Sequence, residues 1–182
     1  MKKRNVLAMA GISLLAVGVL AACSGSKSGS SKESVNFTYV YQTDPETLDY
    51  TLSAKTSTHD ITSNVIDGLF ENDQYGNLVP SIAKDWTVSK DGLTYTYKLR
   101  KDAKWYTSEG EEYATVKAQD FVTGLKHAID KKSEARYMVE NSVKGLAAYI
   151  KGETKDFSTV GIKAVDDYTL QFTLEHPESF WN

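Results

Sequence analysis

Cys23 is the only cysteine in this 182-residue chain. A lone free thiol calls for a chemical role. It closes an apolar run, and the small side chains of Ala21 and Ala22 before it leave the backbone open to a peptidase. His59, His127 and His176 are scattered, without partners at metal-ligand spacing, and read as structural or solvated. Asp166-Asp167 reads as a turn rather than an acid–base pair. No Gly-rich phosphate loop and no nucleophile motif occurs. Trp86, Tyr95, Tyr97 and Trp105 fall at strand positions and read as core and strand-face aromatics rather than a binding platform. The chain is therefore read as a non-enzyme that needs neither metal nor cofactor.

The residues around Cys23 explain its chemistry. Lys2, Lys3 and Arg4 precede an apolar run from Val6 to Leu20, too short for a comfortable membrane span and shaped like a secretory signal. Leu20-Ala21-Ala22-Cys23 resembles the bacterial lipobox, which implies diglyceride acylation of the Cys23 sulfur and cleavage before it. Residues 1–22 are thus expected to be a lipoprotein signal peptide. Residues 23–34 are expected to be the lipidated cysteine and a flexible Ser/Gly/Lys tether. The implied location is the extracytoplasmic face of the cell membrane, lipid-anchored, with no disulfide in the mature chain. The net charge is −3, and no basic stripe follows the N-terminus, which argues against a nucleic-acid partner.

The folded body must be built from residue 35 onward. Val35, Phe37, Tyr39 and Tyr41 alternate with polar residues and predict a strand over 35–41. Ile61, Val65, Ile66, Leu69 and Phe70 predict a helix begun by Ser57 or Thr58, with Gly68 near its end. Residues 72–77 form a turn signal, and 80–84 a short helical turn. Residues 86–89 and 93–100 flank Lys90-Asp91-Gly92 as a hairpin. Phe121, Val122, Leu125, Ala128 and Ile129 predict a helix over 118–130. Met138, Val139, Val143, Leu146, Ala147 and Ile150 predict a second over 136–151, capped by Gly152. Residues 161–165 and 168–174 form another hairpin.

Several stretches, in this order, are similar to the family 5 solute-binding proteins of ABC importers, the oligopeptide- and dipeptide-binding group. They are Asp44-Pro45-Glu46-Thr47-Leu48-Asp49; Asn64-Val65-Ile66-Asp67-Gly68-Leu69; and Gly76-Asn77-Leu78-Val79-Pro80 running on to Ala83-Lys84-Asp85-Trp86. Then come Asp91-Gly92-Leu93-Thr94-Tyr95-Thr96-Tyr97-Lys98-Leu99-Arg100 with Lys104-Trp105, Ala118-Gln119-Asp120-Phe121-Val122, and 160–170 around Asp166-Asp167. With the lipobox, the chain looks most like Gram-positive oligopeptide-binding lipoproteins. Three places depart from the pattern: Tyr50 replaces a usual proline, Lys117 a usual Thr or Ser helix cap, and 106–111 is longer than the usual turn.

The resemblance implies a mixed α/β fold, part of a type II periplasmic-binding-protein architecture. It divides 35–58, the opening strand and cleft segment of lobe I, from 59–175, an α/β subdomain with two hairpins and two long helices, and from 176–182, the start of a further element. Family members are much longer, so the chain is expected to be the N-terminal portion only and unable to close on a ligand alone. The implied function is capture of oligopeptides for a permease with cytosolic ATPases, by a monomer. The alternatives are a surface lipoprotein in adhesion or peptide-pheromone sensing, or a non-functional gene fragment. The resemblance carries ligand contact onto Ala54, Lys55 and Thr56 and onto Tyr137. The competing readings are an exposed loop for the first three and a packing residue of the second helix for Tyr137.

Overall fold

The computed structural model describes residues 38–41 and 43–181. The chain divides into a unit up to Val40 and a unit from Tyr41 onward. Of the first, Thr38–Val40 are described and carry no helix or strand. The expected strand over 35–41 is thus not formed at 38–41, and 35–37 lie outside the described residues. A strand exists only where a ladder partner takes its N–H and C=O groups, and every strand ladder among the described residues lies between Phe70 and Thr173. The signal segment, Cys23 and the tether also lie outside the described residues.

In the second unit the order is α1 (Thr56–Thr62), β1 (Phe70–Asn72), β2 (Leu78–Pro80), β3 (Ala83–Val88), β4 (Thr94–Leu99), β5 (Lys104–Tyr106), β6 (Glu112–Thr115) and α2 (Ala118–Asp130). A 3-10 turn (Arg136–Met138), α3 (Leu146–Lys151), a second 3-10 turn (Phe157–Thr159), β7 (Ile162–Asp166) and β8 (Thr169–Thr173) complete it. The central element is an antiparallel four-stranded sheet ordered β3-β4-β8-β7. Strict alternation builds it: Tyr95, Tyr97 and Leu99 of β4 are buried while Thr94, Thr96 and Lys98 face outward. Tyr97 opposes Leu170 and Tyr95 opposes Phe172 on β8, and burial pushes the Tyr97 phenol above its usual range. The apolar face of α2 lies against β7 and β8, with Ile129, Leu146 and Leu170 in one core.

The β3–β4 turn forms as its residues require. Gly92 takes φ +72°, and Asp91 Oδ1 accepts the Leu93 N–H at 3.0 Å. The helix predicted over 118–130 forms with those bounds. Lys117, standing where a hydroxyl cap is usual, is served by Asp120, whose Oδ2 accepts the Lys117 N–H at 2.9 Å. The Asp120 N–H donates back to the Lys117 carbonyl at 3.0 Å.

Three further expectations fail. The helix begun near Ser57 stops at Thr62; Phe70 instead starts β1 and packs edge-on against Trp86, with ring centroids 4.7 Å apart. Residues 80–84 are not a helical turn: Pro80 ends β2 as the last rung of a hairpin with β1, and Ala83 opens β3. Trp105 does fall on a strand, at the middle of β5, where its face is 37% exposed. The second long helix over 136–151 is absent. Its apolar spacing is helical, but Val143 bridges to Leu174 at the sheet, and Lys144 donates to the Thr173 carbonyl at 2.9 Å. Gly145 then turns the chain with φ +71°, leaving only a 3-10 turn and the short α3. The subdomain therefore has one long helix, not two, and further hairpins at β1–β2 and β5–β6. Among the described residues no helix is long and apolar enough to cross a membrane.

Candidate functional site

The stretch from Thr47 to Thr58 is held in place almost entirely by polar contacts. Asp49 is its hub. Its Oδ1 accepts the Thr51 N–H at 3.1 Å and the Thr51 hydroxyl at 2.5 Å, and its Oδ2 lies 2.8 Å from His127 Nε2 on α2. The Thr51 hydroxyl chiefly holds the Asp49 carboxyl below its ordinary range; burial opposes it, and His127 and the Thr51 N–H add to the lowering. The fully buried Thr58 hydroxyl donates to the Thr47 carbonyl at 2.9 Å, closing the loop on itself.

Glu134, just past the end of α2, docks this loop on the subdomain. Its N–H donates to the Leu52 carbonyl at 2.9 Å, and its Oε2 accepts the Ala54 N–H at 2.9 Å. Lys55 is extended, with φ −81° and ψ 137°; its N–H donates to Ser53 Oγ at 3.1 Å, and its ammonium pairs with Glu46 at 2.5 Å. After these contacts, the Ala54 carbonyl and the Thr56 N–H make no hydrogen bond among the described residues. In extended backbone, residues two apart direct these groups to one side, so Ala54 and Thr56 offer an acceptor and a donor in the pattern that an added strand uses.

The structure thus brings Ala54, Lys55 and Thr56 together as an exposed but fixed edge. Tyr137 stands on the 3-10 turn that begins two residues beyond Glu134, and it is 69% exposed. It is not a packing residue of a second helix, because that helix does not form. Among the described residues Tyr137 makes no hydrogen bond to residues 54–56. Sequence reasoning missed Asp49, His127 and Glu134 as positioning residues. Their partners lie 78 and 80 positions away, beyond any local signal. Among the described residues no group of His, Cys, Asp and Glu is arranged to hold a metal ion.

With this geometry in place, the comparisons with known proteins are specific. Residues 77–182 match the bacterial extracellular solute-binding proteins, family 5 (middle part). Oligopeptide-binding protein AmiA of Streptococcus pneumoniae is 68% identical over 182 residues, which is 100% of this chain and 28% of that protein. The substrate-binding domain of an oligopeptide ABC transporter from Bacillus anthracis is 35% identical with a TM-score of 0.65, covering 73% of this chain and 25% of that one. Listeria monocytogenes OppA bound to peptide is 30% identical with a TM-score of 0.63, covering 71% of this chain and 25% of that one. The chain therefore spans little more than a quarter of the length of these relatives.

Proposed function

Because the chain belongs to family 5 of the bacterial extracellular solute-binding proteins, we propose that it captures oligopeptides outside the membrane for an ABC permease with cytosolic ATPases. The observation that carries this reading is the exposed Ala54–Thr56 segment, extended at Lys55 where it enters α1, held by Glu134 and Ser53 with one carbonyl and one N–H left to a guest. Main-chain pairing gives affinity for any extended peptide and little preference for its side chains. Tyr137 supplies an exposed ring, suited to packing on a guest at low entropic cost. The likeness to Listeria monocytogenes OppA bound to peptide is consistent with this assignment.

In the same reading residues 1–22 direct export, Cys23 carries the lipid, residues 24–34 are the leash, and the body works at the outer membrane face as a monomer. Residues 35–58 supply the cleft segment, 59–175 the subdomain that presents it, and 176–182 begin the next element. Capture by the whole protein closes two lobes on the guest.

Two measurements test this. Deleting the gene and restoring it in full length should abolish and recover uptake of labelled oligopeptides; unchanged uptake with no peptide binding by the purified protein refutes the reading. Cys23→Ser should move the protein from the membrane fraction to the medium and remove the mass of one diacylglyceryl group.

A further inference from the structure

The subdomain holds an open cavity of about 290 Å³. It opens between the end of α2 (Ile129, Asp130, Lys132), Arg136 of the first 3-10 turn, and the end of α3 with the loop after it (Tyr149 to Lys155). Its volume is at the small end of the roughly 300–1,000 Å³ range of ligand sites, which suits one side chain or one terminal residue rather than a whole peptide. Ile129, Ile150 and the Tyr149 ring give it an apolar wall. The ring is fixed by an edge contact with Phe157 at 5.0 Å and by its hydroxyl, which donates to Asp130 Oδ1 at 2.8 Å.

The charges around this cavity do not balance. Lys132, Arg136 and Lys155 line it, and among the described residues no carboxylate pairs with any of the three. The one acidic lining residue, Asp130, is taken by Lys126 and Tyr149. Arg136 is half-buried, so its stem packs on the cavity wall while its guanidinium stays without a carboxylate partner and open to a ligand.

Lys132 adds an independent sign. It is the C′ residue of α2, with φ +60°. Its N–H donates to the Ile129 carbonyl at 3.0 Å and the Ser133 N–H to the Ala128 carbonyl at 2.8 Å. That is the Schellman ending, where glycine is the unstrained choice. A lysine here accepts backbone strain and places its side chain in the cavity wall, as strained residues at binding sites do. The basic residues also face two helix C-termini, whose negative ends favour cations. That effect contributes to stability and requires no guest.

We propose that this cavity is a carboxylate-binding site that takes an acidic side chain or the C-terminus of a captured peptide, with Arg136 as the bidentate anchor and Lys132 and Lys155 as flanking charges. The carboxylate chemistry stands on the cavity; its source, a peptide, rests on the peptide-capture reading. The link is Glu134, which holds Ala54 two residues before Arg136. Arginine is suited to the role because its planar fork matches a carboxylate with two parallel hydrogen bonds.

The test uses the purified chain and two pairs of probes. Glutarate against the neutral isostere glutaramide is followed by NMR of the Arg136 side-chain Nε–H and the Tyr149 ring. Matched peptides differing only in one Glu or Gln are compared by competition binding. Glutarate alone should shift both signals, Arg136→Gln should weaken its binding about tenfold, and Lys132→Gly should weaken it while raising thermal stability. Glu peptides should outcompete Gln peptides in the wild type but not in Arg136→Gln. Equal shifts with glutaramide, or loss of stability without loss of binding in Arg136→Gln, would overturn the site. Equal binding of both peptides overturns the peptide source. Glutarate-specific shifts with no peptide binding of any sequence by the full-length protein would support the site and refute the capture reading.

Discussion

Asp120 offers the sharpest test of how the family-like motifs act as structure. Its Oδ2 accepts both the Lys117 N–H and the Trp105 indole N–H at 2.9 Å, so one atom starts α2 and ties it to the β5–β6 hairpin. Asp120→Ala removes a helix-start contact that typically contributes about 1 kcal/mol. It also removes an indole hydrogen bond that adds about 0.5–1 kcal/mol, taken at the low end because Trp105 is 37% exposed. The expected loss is about 1.5–2 kcal/mol, or about 3–8 °C in Tm for a domain of this size. Asp120→Asn keeps one acceptor oxygen and should fall between. The assay is thermal unfolding by circular dichroism, with Trp105→Phe and the double variant completing a cycle. Trp105→Phe keeps an aromatic ring but deletes the donor with the pyrrole part of the indole, and the cycle cancels that lost packing, so a coupling of about 0.5 kcal/mol is expected. Strict additivity of the two substitutions, or an Asp120→Ala protein within about 0.3 kcal/mol of wild type, would refute the hub.

Other outcomes rest on the same geometry. A Cβ at Gly161 would sit 2.3 Å from the Thr173 carbonyl oxygen, so Gly161→Ala should cost about 3 kcal/mol or more and broaden the β8 amide signals, as measured by urea unfolding and NMR. Lys132→Gly should raise stability by about 1 kcal/mol by relieving the left-handed backbone strain, read as a higher urea midpoint with an unchanged m-value. Asp49 is held below its ordinary value of 3.8, so its contribution is complete above that value and is lost as pH falls through the lower folded value. The hydrogen-exchange protection factor at Thr51, an amide bonded to Asp49, should therefore fall below about pH 4 while the β4 amides stay protected. Unchanged protection at Thr51 to pH 2 would show that the carboxylate does not hold the loop.

The sequence was readable where periodicity and tertiary demand coincide. In β4 the alternation of Tyr95, Tyr97 and Leu99 is also the burial pattern, and in 118–130 the helical stripe is the face laid on β7 and β8. It misled where an apolar run served two masters. Val139, Val143 and Leu146 keep helical spacing, yet Val143 is drawn to Leu174 and Gly145 breaks the backbone, because the ladder bonds from Lys144 and Gly161 to the sheet outweigh local helix propensity. The candidate edge was legible only as a place. Resemblance pointed to Ala54–Thr56, but nothing near it in sequence announces that Glu134 and His127 hold it. Those residues sit on the polar side of α2 and just beyond it, where a charge ordinarily means solvent. The motifs behave the same way. Lys104-Trp105 and Ala118-Gln119-Asp120 look like separate fingerprints, but the Trp105–Asp120 bond makes them one structural unit. Here the motif marks a joint between elements. The groups proposed to meet a ligand are main-chain atoms at Ala54 and Thr56, whose chemistry every residue shares and no side-chain pattern can encode.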